Sequence, residues 1–401
     1  MPDLPPKPLG NQLPSNKLGS IIQPIVDALP TIASAPTSVT LFIGLTPTGP
    51  IGTPTPVSSF VAFQQTFGNL NPAYPLTYAI WLFFNNGGTQ ALILSAGNAV
   101  TLPTPDPRLA ALASVTIPFN ILVIPPDTLN GDLSSALLNA ALALCAKQGA
   151  MLIFDAPAAW STRAASGDLT FTPANLGLTP TASLSNCALY FPRIVIQDPL
   201  TGTTSATLTA APAIAGLWAQ SDANTGVWKA PANLSLTSIV GFAANLTDAQ
   251  QAKLNPLGIN CLRNFPTIGP VVWGARTLST DTTYQYINVR RFILFLESSL
   301  RAGLQWTVFE PNNTHLWSQI VSVTSAFLTT LWRSGALLGD SAAQAFFVRC
   351  DATTTTQQDI AQGIVNIIVG VAVLQPAEFV IIQIQSWANA ESTTLPHKPT
   401  P

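Results

Sequence analysis

Residues 133–155 read LSSALLNAALALCAKQGAMLIFD. Up to Gln148 the stretch is built from Leu and Ala, strong helix formers, and contains neither Gly nor Pro. Gly149 then offers the left-handed stop that ends helices. Residues 151–155, MLIFD, form a short apolar run of the kind that makes a buried strand. A helix passing this quickly into a strand is half of an αβ repeat. Working outward, the alternation continues. Residues 39–45, VTLFIGL, are a partly β-branched apolar run stopped by Thr-Pro-Thr-Gly-Pro. Ser58 or Ser59 caps a short helix that runs to Phe67 and ends at Gly68. A second helix over 76–85 gives way through Asn-Asn-Gly-Gly to a strand at 90–94, and 121–124 is another strand. This pattern predicts an α/β layer with a mainly parallel sheet.

The pattern changes at 161–209, which is crowded with Thr, Ser, Gly and Pro around one expected strand at 189–196. Thr247 and Gln250 form a capping box ahead of a helix. The last third is the most periodic. A helix over 287–302 places Val289, Phe292, Ile293, Leu296 and Leu300 on one face. Arg290, Arg291, Glu297 and Arg301 fall on the other, with Glu297 and Arg301 spaced for an i,i+4 pair. A helix over 316–334 follows, capped by Asn312 or Asn313, with Leu316, Ile320, Val323, Phe327 and Leu331 inward. Strands are expected at 346–349, 364–373 and 378–387. The domain plan is an arm over 1–36, an outer domain over 37–255, a C-terminal domain over 256–387 and a flexible tail over 388–401. Prolines forbid a long helix in the arm, though 21–29 is apolar enough to dock.

Composition narrows the function. Of 401 residues 47% are hydrophobic and only 8% charged, about a third of the usual share. No charged residue occurs from 28 to 105. A free monomer normally carries more charge, so a surface covered by neighbours in an assembly explains the sequence as well as a Thr/Ala/Pro bias does. A net charge of −2 gives no field to hold nucleic acid. Cys145, Cys187, Cys261 and Cys350 are too scattered for a zinc site or a disulfide framework. The opening residues lack the pattern of a signal peptide, and no apolar run reaches the length of a membrane span. No cofactor is expected: the Gly-rich stretch at 44–52 carries prolines where a phosphate cradle needs N–H groups. Catalysis has two footholds, Asp155 at a strand end and His315 at a helix start, neither with a partner nearby in sequence. An α/β enzyme assembled around one of them, or a Thr/Pro-rich binding or adhesion module, are the competing functions.

Several stretches, in one order, resemble the contractile tail sheath family of phage tails and related injection systems. They are TSVTLFIGLTPTGPIGTPTPVSSFVAFQQTFG from 37, PLTYAIWLFFNNGGTQALIL from 75, ALYFPRIVIQDPLTG from 188 and GVWKAPAN from 226. LNPLGINCLRNFPTIGPVVWGARTLS follows from 254, then YINVRRFILFLESSL from 286, QWTVFEPNN from 305, AFFVRCDATTTTQQDI from 345 and PAEFVIIQI from 376. The family's Pro-Gly-Val-Tyr-like opening is absent, and the Pro-rich arm stands in its place. The resemblance implies a non-enzymatic subunit with an outer α/β domain and a tube-proximal α/β domain. Its terminal arms would complete sheets of neighbouring subunits. The inter-subunit strand would be Glu378, Phe379, Val380, Ile381, Ile382, Gln383 and Ile384. Arg290, Arg291, Arg301 and Arg333 are the candidates to touch an inner tube. The implied partners are further copies of the chain, the tube, a baseplate and a terminal cap, without nucleic acid or membrane insertion. The implied place is a phage tail, or a particle assembled in the cytoplasm of a producing bacterium.

Overall fold

A computed structural model describes residues 30–378, apart from 180–181, 203–204 and the side chains of 182 and 183. The first αβ units run β1 (Thr40–Leu45), β2 (Thr55–Val57), α1 (Phe60–Phe67), α2 (Pro75–Asn85), β3 (Ala91–Gly97), α3 (Pro107–Ser114) and β4 (Ile121–Val123). Next come α4 (Ser135–Gln148), β5 (Met151–Asp155), α5 (Ala158–Ala165) and β6 (Cys187–Phe191). The expected punctuation is in place. Ser59 Oγ accepts from the Ala62 N–H at 3.1 Å, and Gly68, at φ 99°, closes α1. Gly149 ends α4 in the left-handed region, and Ser134, not foreseen, caps its start.

After β6 the chain adds β7 (Ile194–Gln197), β8 (Ser205–Leu208), α6 (Ala211–Asn224), β9 (Leu234–Ser235), β10 (Gly241–Phe242), α7 (Asp248–Leu254), β11 (Ile259–Phe265) and β12 (Gly269–Trp273). The nine-stranded main sheet has the order β2-β3-β1-β4-β5-β6-β11-β12-β9. Its interior, from β3 to β11, is parallel, and antiparallel pairs flank it. Both faces of β1 are covered: Phe42 enters one apolar cluster, Leu41 and Ile43 the other. That explains a strand that is apolar throughout instead of alternating. Helix α6 packs on α2 at Gly216, where a Cβ would lie 2.4 Å from the Phe83 carbonyl oxygen.

Two expectations need correction. The single strand foreseen at 189–196 is two strands in different sheets. Pro192, which has no N–H to give a ladder, separates β6 in the main sheet from β7, the centre of the small sheet β10-β7-β8. The expected domain boundary at 255/256 falls inside the main sheet, because β11 pairs with β6 and β12 with β11. Packing draws the line after these strands.

The C-terminal domain holds α8 (Ile287–Gly303), α9 (Thr314–Arg333), α10 (Ala342–Ala345), β13 (Phe346–Arg349), α11 (Gln357–Ala361) and β14 (Ile368–Val371). Asn313 caps α9 by accepting from the His315 and Leu316 N–H groups. Phe292, Phe295, Leu296, Val323, Phe327 and Leu331 build the core between the long helices. Strands β13 and β14 form a separate antiparallel pair. The strand foreseen at 364–373 is confined to β14, and of the one foreseen at 378–387 only Glu378 lies within the described residues. The arm enters the same core. Ile32 is buried against α8 and α9, and the Ala35 N–H donates to Ser299 Oγ at 3.0 Å. Residues 1–29 and the expected tail over 388–401 lie outside the described residues.

Candidate functional site

The pair β13–β14 packs one face on the C-terminal core through Phe346, Val348, Val369 and Val371. A two-stranded ribbon needs such support to be stable in water. Among the described residues no named strand extends it, and one isolated bridge, Leu337 to Val373, lies beyond its end. Phe347 on β13 and Ile368 on β14 are 51% and 46% exposed. Backbone groups along its edges are therefore open to another strand.

The chain leaves this ribbon through Leu374, whose carbonyl accepts from Asn288 Nδ2 at 2.9 Å, and reaches Glu378. Glu378 is clamped by Arg276 just beyond β12. Nε donates to Oε1 at 2.9 Å and Nη2 to Oε2, with the two side chains 12% and 16% exposed. Burial pushes the Glu378 carboxyl up, but the hydrogen bonds and charge of Arg276, with hydrogen bonds from Asn255 and Tyr286, together hold it below the usual glutamate value. The hydrogen bonds to Glu378 in turn raise Arg276. The start of the expected exchange segment is thus fixed to the main-sheet domain of its own subunit.

The four arginines proposed for a tube contact sit in different settings, two engaged inside the subunit and two exposed. The structure removes Arg291 from the set. Its guanidinium donates to both oxygens of Asp222 on α6, at 2.9 and 2.6 Å, and to the Thr37 carbonyl at 3.0 Å. It also stacks 4.6 Å from the Trp218 ring, with its side chain 3% exposed. The nominal polar face of α8 is here packed against the other domain, and Arg291 clasps the two. Arg290 is half-buried, bonded to Asn186 Oδ1 at 3.0 Å and stacked on Tyr284. Arg301 and Arg333 are exposed and, among the described residues, make no ion pair. Glu297 is also exposed, and the expected pair with Arg301 is not closed.

Sequence reasoning passed over one prominent feature. The α8–α9 connection projects Val308, 61% exposed, and Phe309, fully exposed and held at φ 71°. A non-glycine residue in that region is strained, and such strain concentrates at working sites. The only signal was the stretch QWTVFEPNN, noted for its resemblance and not for its chemistry.

The two catalytic footholds are accounted for structurally. Asp155 accepts from the Ala210 and Ala211 N–H groups at 2.6 and 2.9 Å and so caps the start of α6 across the sheet edge. Burial raises its carboxyl, while Arg193 and the two N–H groups pull the other way. His315 is exposed in the first turn of α9, where only its backbone N–H is engaged by the Asn313 cap. All four cysteines are buried and free, and burial pushes the Cys187 and Cys261 thiols up to about 12. Among the described residues no three His, Cys, Asp or Glu side chains gather as a metal site, and no helix is long and apolar enough to cross a membrane. A cavity of about 720 Å³ lies beside Arg276, with Leu178, Leu257 and Leu278 on its apolar side and Thr277, Ser279 and Thr280 on its polar side. Its ionisable groups, Arg276 and Asp281, are both engaged, one with Glu378 and one with the Thr283 N–H.

Comparison with known proteins follows the same division of the chain. Residues 104–278 match the model of the phage tail sheath protein central domain, and 279–386 match the phage tail sheath C-terminal domain. A prophage major tail sheath protein of Pseudomonas aeruginosa is 27% identical over 155 residues, a stretch that spans 37% of this chain and 38% of that relative. The helical sheath of the anti-feeding prophage in its contracted state superposes with a TM-score of 0.73 at 30% identity, covering 89% of this chain and 95% of that one. A chain of the anti-feeding prophage baseplate superposes with a TM-score of 0.71 at 29% identity, over 94% and 99% of the two chains. The two family models together span 104–386, and a sheath chain is 30% identical over most of both lengths: this chain belongs to the contractile tail sheath family.

Proposed function

We propose that this sheath subunit polymerises by strand addition, its β13–β14 ribbon accepting residues 379–384 of a neighbouring copy. The open ribbon carries the reading: a sheet of two strands with bare edges is a ready acceptor for a third. Clamping at Glu378 supports it, because a fixed origin aims the strand that follows. A contact in which one copy gives and the next receives does not close on itself and generates a helix. The inner tube, baseplate and cap would be the other partners. Val308 and Phe309 are the apolar knob for one such contact, with Arg301 and Arg333 as exposed charges that hold a tube weakly enough to let it slide.

Contraction then needs no catalytic site. If subunits bury a few hundred Å² more apolar surface in the contracted state, about 25 cal/mol per Å² gives several kcal/mol per subunit, summed over the whole sheath. Scarce surface charge suits this, since fewer ions lose water when interfaces form. Three of the few arginines, Arg108, Arg193 and Arg291, are buried in internal hydrogen bonds, which leaves the outside poorer still.

Negative-stain electron microscopy of the purified chain and of a version ending at residue 377 tests the proposal. Helical tubes from the full chain alone are expected. Tubes from both would refute the strand assignment.

A further inference from the structure

A second groove, of about 270 Å³, lies on the C-terminal domain between residues 30–34 and one face of α9. Val323 and Phe327 form its buried floor, and Ser322, Ala326 and Thr330 its exposed rim. These rim residues are spaced i, i+4, i+8 and so line up along one side of the helix. Ile32 already occupies this region, packed with Val323 and Phe327 and so close to Gly303 that a Cβ there would come within 2.6 Å of it. The described chain begins at Pro30, itself a wall of the groove. Immediately before it stand residues 21–29, IIQPIVDAL, the apolar part of an otherwise Pro-rich and polar arm.

We propose that residues 21–29 lie in this groove of their own subunit and complete the core that Ile32 begins. The segment is tethered at the groove wall, so its effective concentration there is on the order of millimolar. A neighbour's arm has no such advantage. Charge agrees with the assignment. Asp27 is the only acidic residue between Asp3 and Asp106. Arg333, on the rim's side of α9 beyond Thr330, is exposed and without an ion pair among the described residues. The arm would then be fastened in cis as far as residue 21, and only the residues before it would be free to reach another subunit. The inference stands apart from strand exchange by the C-terminal segment and is tested on dispersed subunits.

The test uses Ala326→Cys, which adds an exposed thiol to a chain whose own four are buried. Maleimide labelling of that thiol is timed in the full chain, in a chain starting at residue 30, and in the full chain carrying Ile25→Asp. The native cysteines must stay unreactive throughout, which certifies that each variant is folded. Labelling in the full chain is expected to be about tenfold slower than in the other two, as for an arm seated some nine-tenths of the time. It should not depend on protein concentration. Equal rates in all three would overturn the proposal. Protection that grows with concentration would overturn it too, by assigning the groove to another copy's arm.

Discussion

Replacing Arg291 by Met tests how the two domains are held together. The substitution keeps a long apolar side chain beside Trp218 but removes the donors to Asp222 and to the Thr37 carbonyl. Asp222, whose side chain is 6% exposed, would keep only the Thr37 hydroxyl at 2.7 Å. Stripping one partner from a buried pair costs about 3–5 kcal/mol, because the other charge stays desolvated. For a chain of 401 residues the unfolding entropy, about 2.1 cal/mol/K per residue, makes each kcal/mol worth about 1 °C, so Tm should fall by about 4–6 °C. Urea unfolding of the dispersed subunit, followed by tryptophan fluorescence, gives the free energy directly. Adding Asp222→Asn removes the stranded charge, so the double variant should recover more than about 1.5 kcal/mol of the loss. A single variant within about 1 kcal/mol of the parent would refute the reasoning, and so would a double variant no better than the single.

Four further outcomes are expected. Phe309→Ser should leave Tm within about 1 °C, since the ring is fully exposed among the described residues, yet reduce tube formation in pelleting assays. Because the Glu378 carboxyl lies below its ordinary value of 4.5 when folded, the stability it contributes is present above that pH. It is lost as pH falls below it, and Glu378→Gln should flatten that part of the stability–pH curve. Gly216→Ala forces a methyl against the Phe83 carbonyl and should cost about 1–3 kcal/mol in urea melts. Asp155→Ala should cost about 1 kcal/mol of stability through the lost α6 cap, and the variant should still form tubes.

Much of the fold was legible because the chain punctuates its elements with residues whose chemistry is local. Ser59, Thr247 and Asn313 cap the helices they precede, and Gly68 and Gly149 end theirs, so boundaries were fixed within a residue or two. What failed depended on partners remote in sequence. Arg291 sits on the polar face of its helix, and nothing nearby announces Asp222, 69 residues earlier. The hairpin β11–β12 was missed as an extension of the main sheet because its pairing with β6 spans a long connection through a second sheet. Pro192 was present in the sequence, but whether it bends a strand or hands the chain to another sheet depends on what lies on either side. Of the candidate contacts, the bare ribbon could not be foreseen, since an unpaired edge is a property of the assembled domain. Phe309 looked like one more apolar residue until its backbone turned it outward.

The seat of Ile32 and Ala35 has a consequence for how a subunit is made. The Ala35 N–H finds its acceptor on Ser299, 264 residues later. The arm leaves the ribosome first, but its resting place does not exist until α8 and α9 have emerged. The beginning of the chain must wait, unattached, through most of synthesis. Fastening the arm is then one of the last events of maturation, and a truncated or stalled product is left with a loose end. The seating of Ile32 and Ala35 thus reports that synthesis has passed α9.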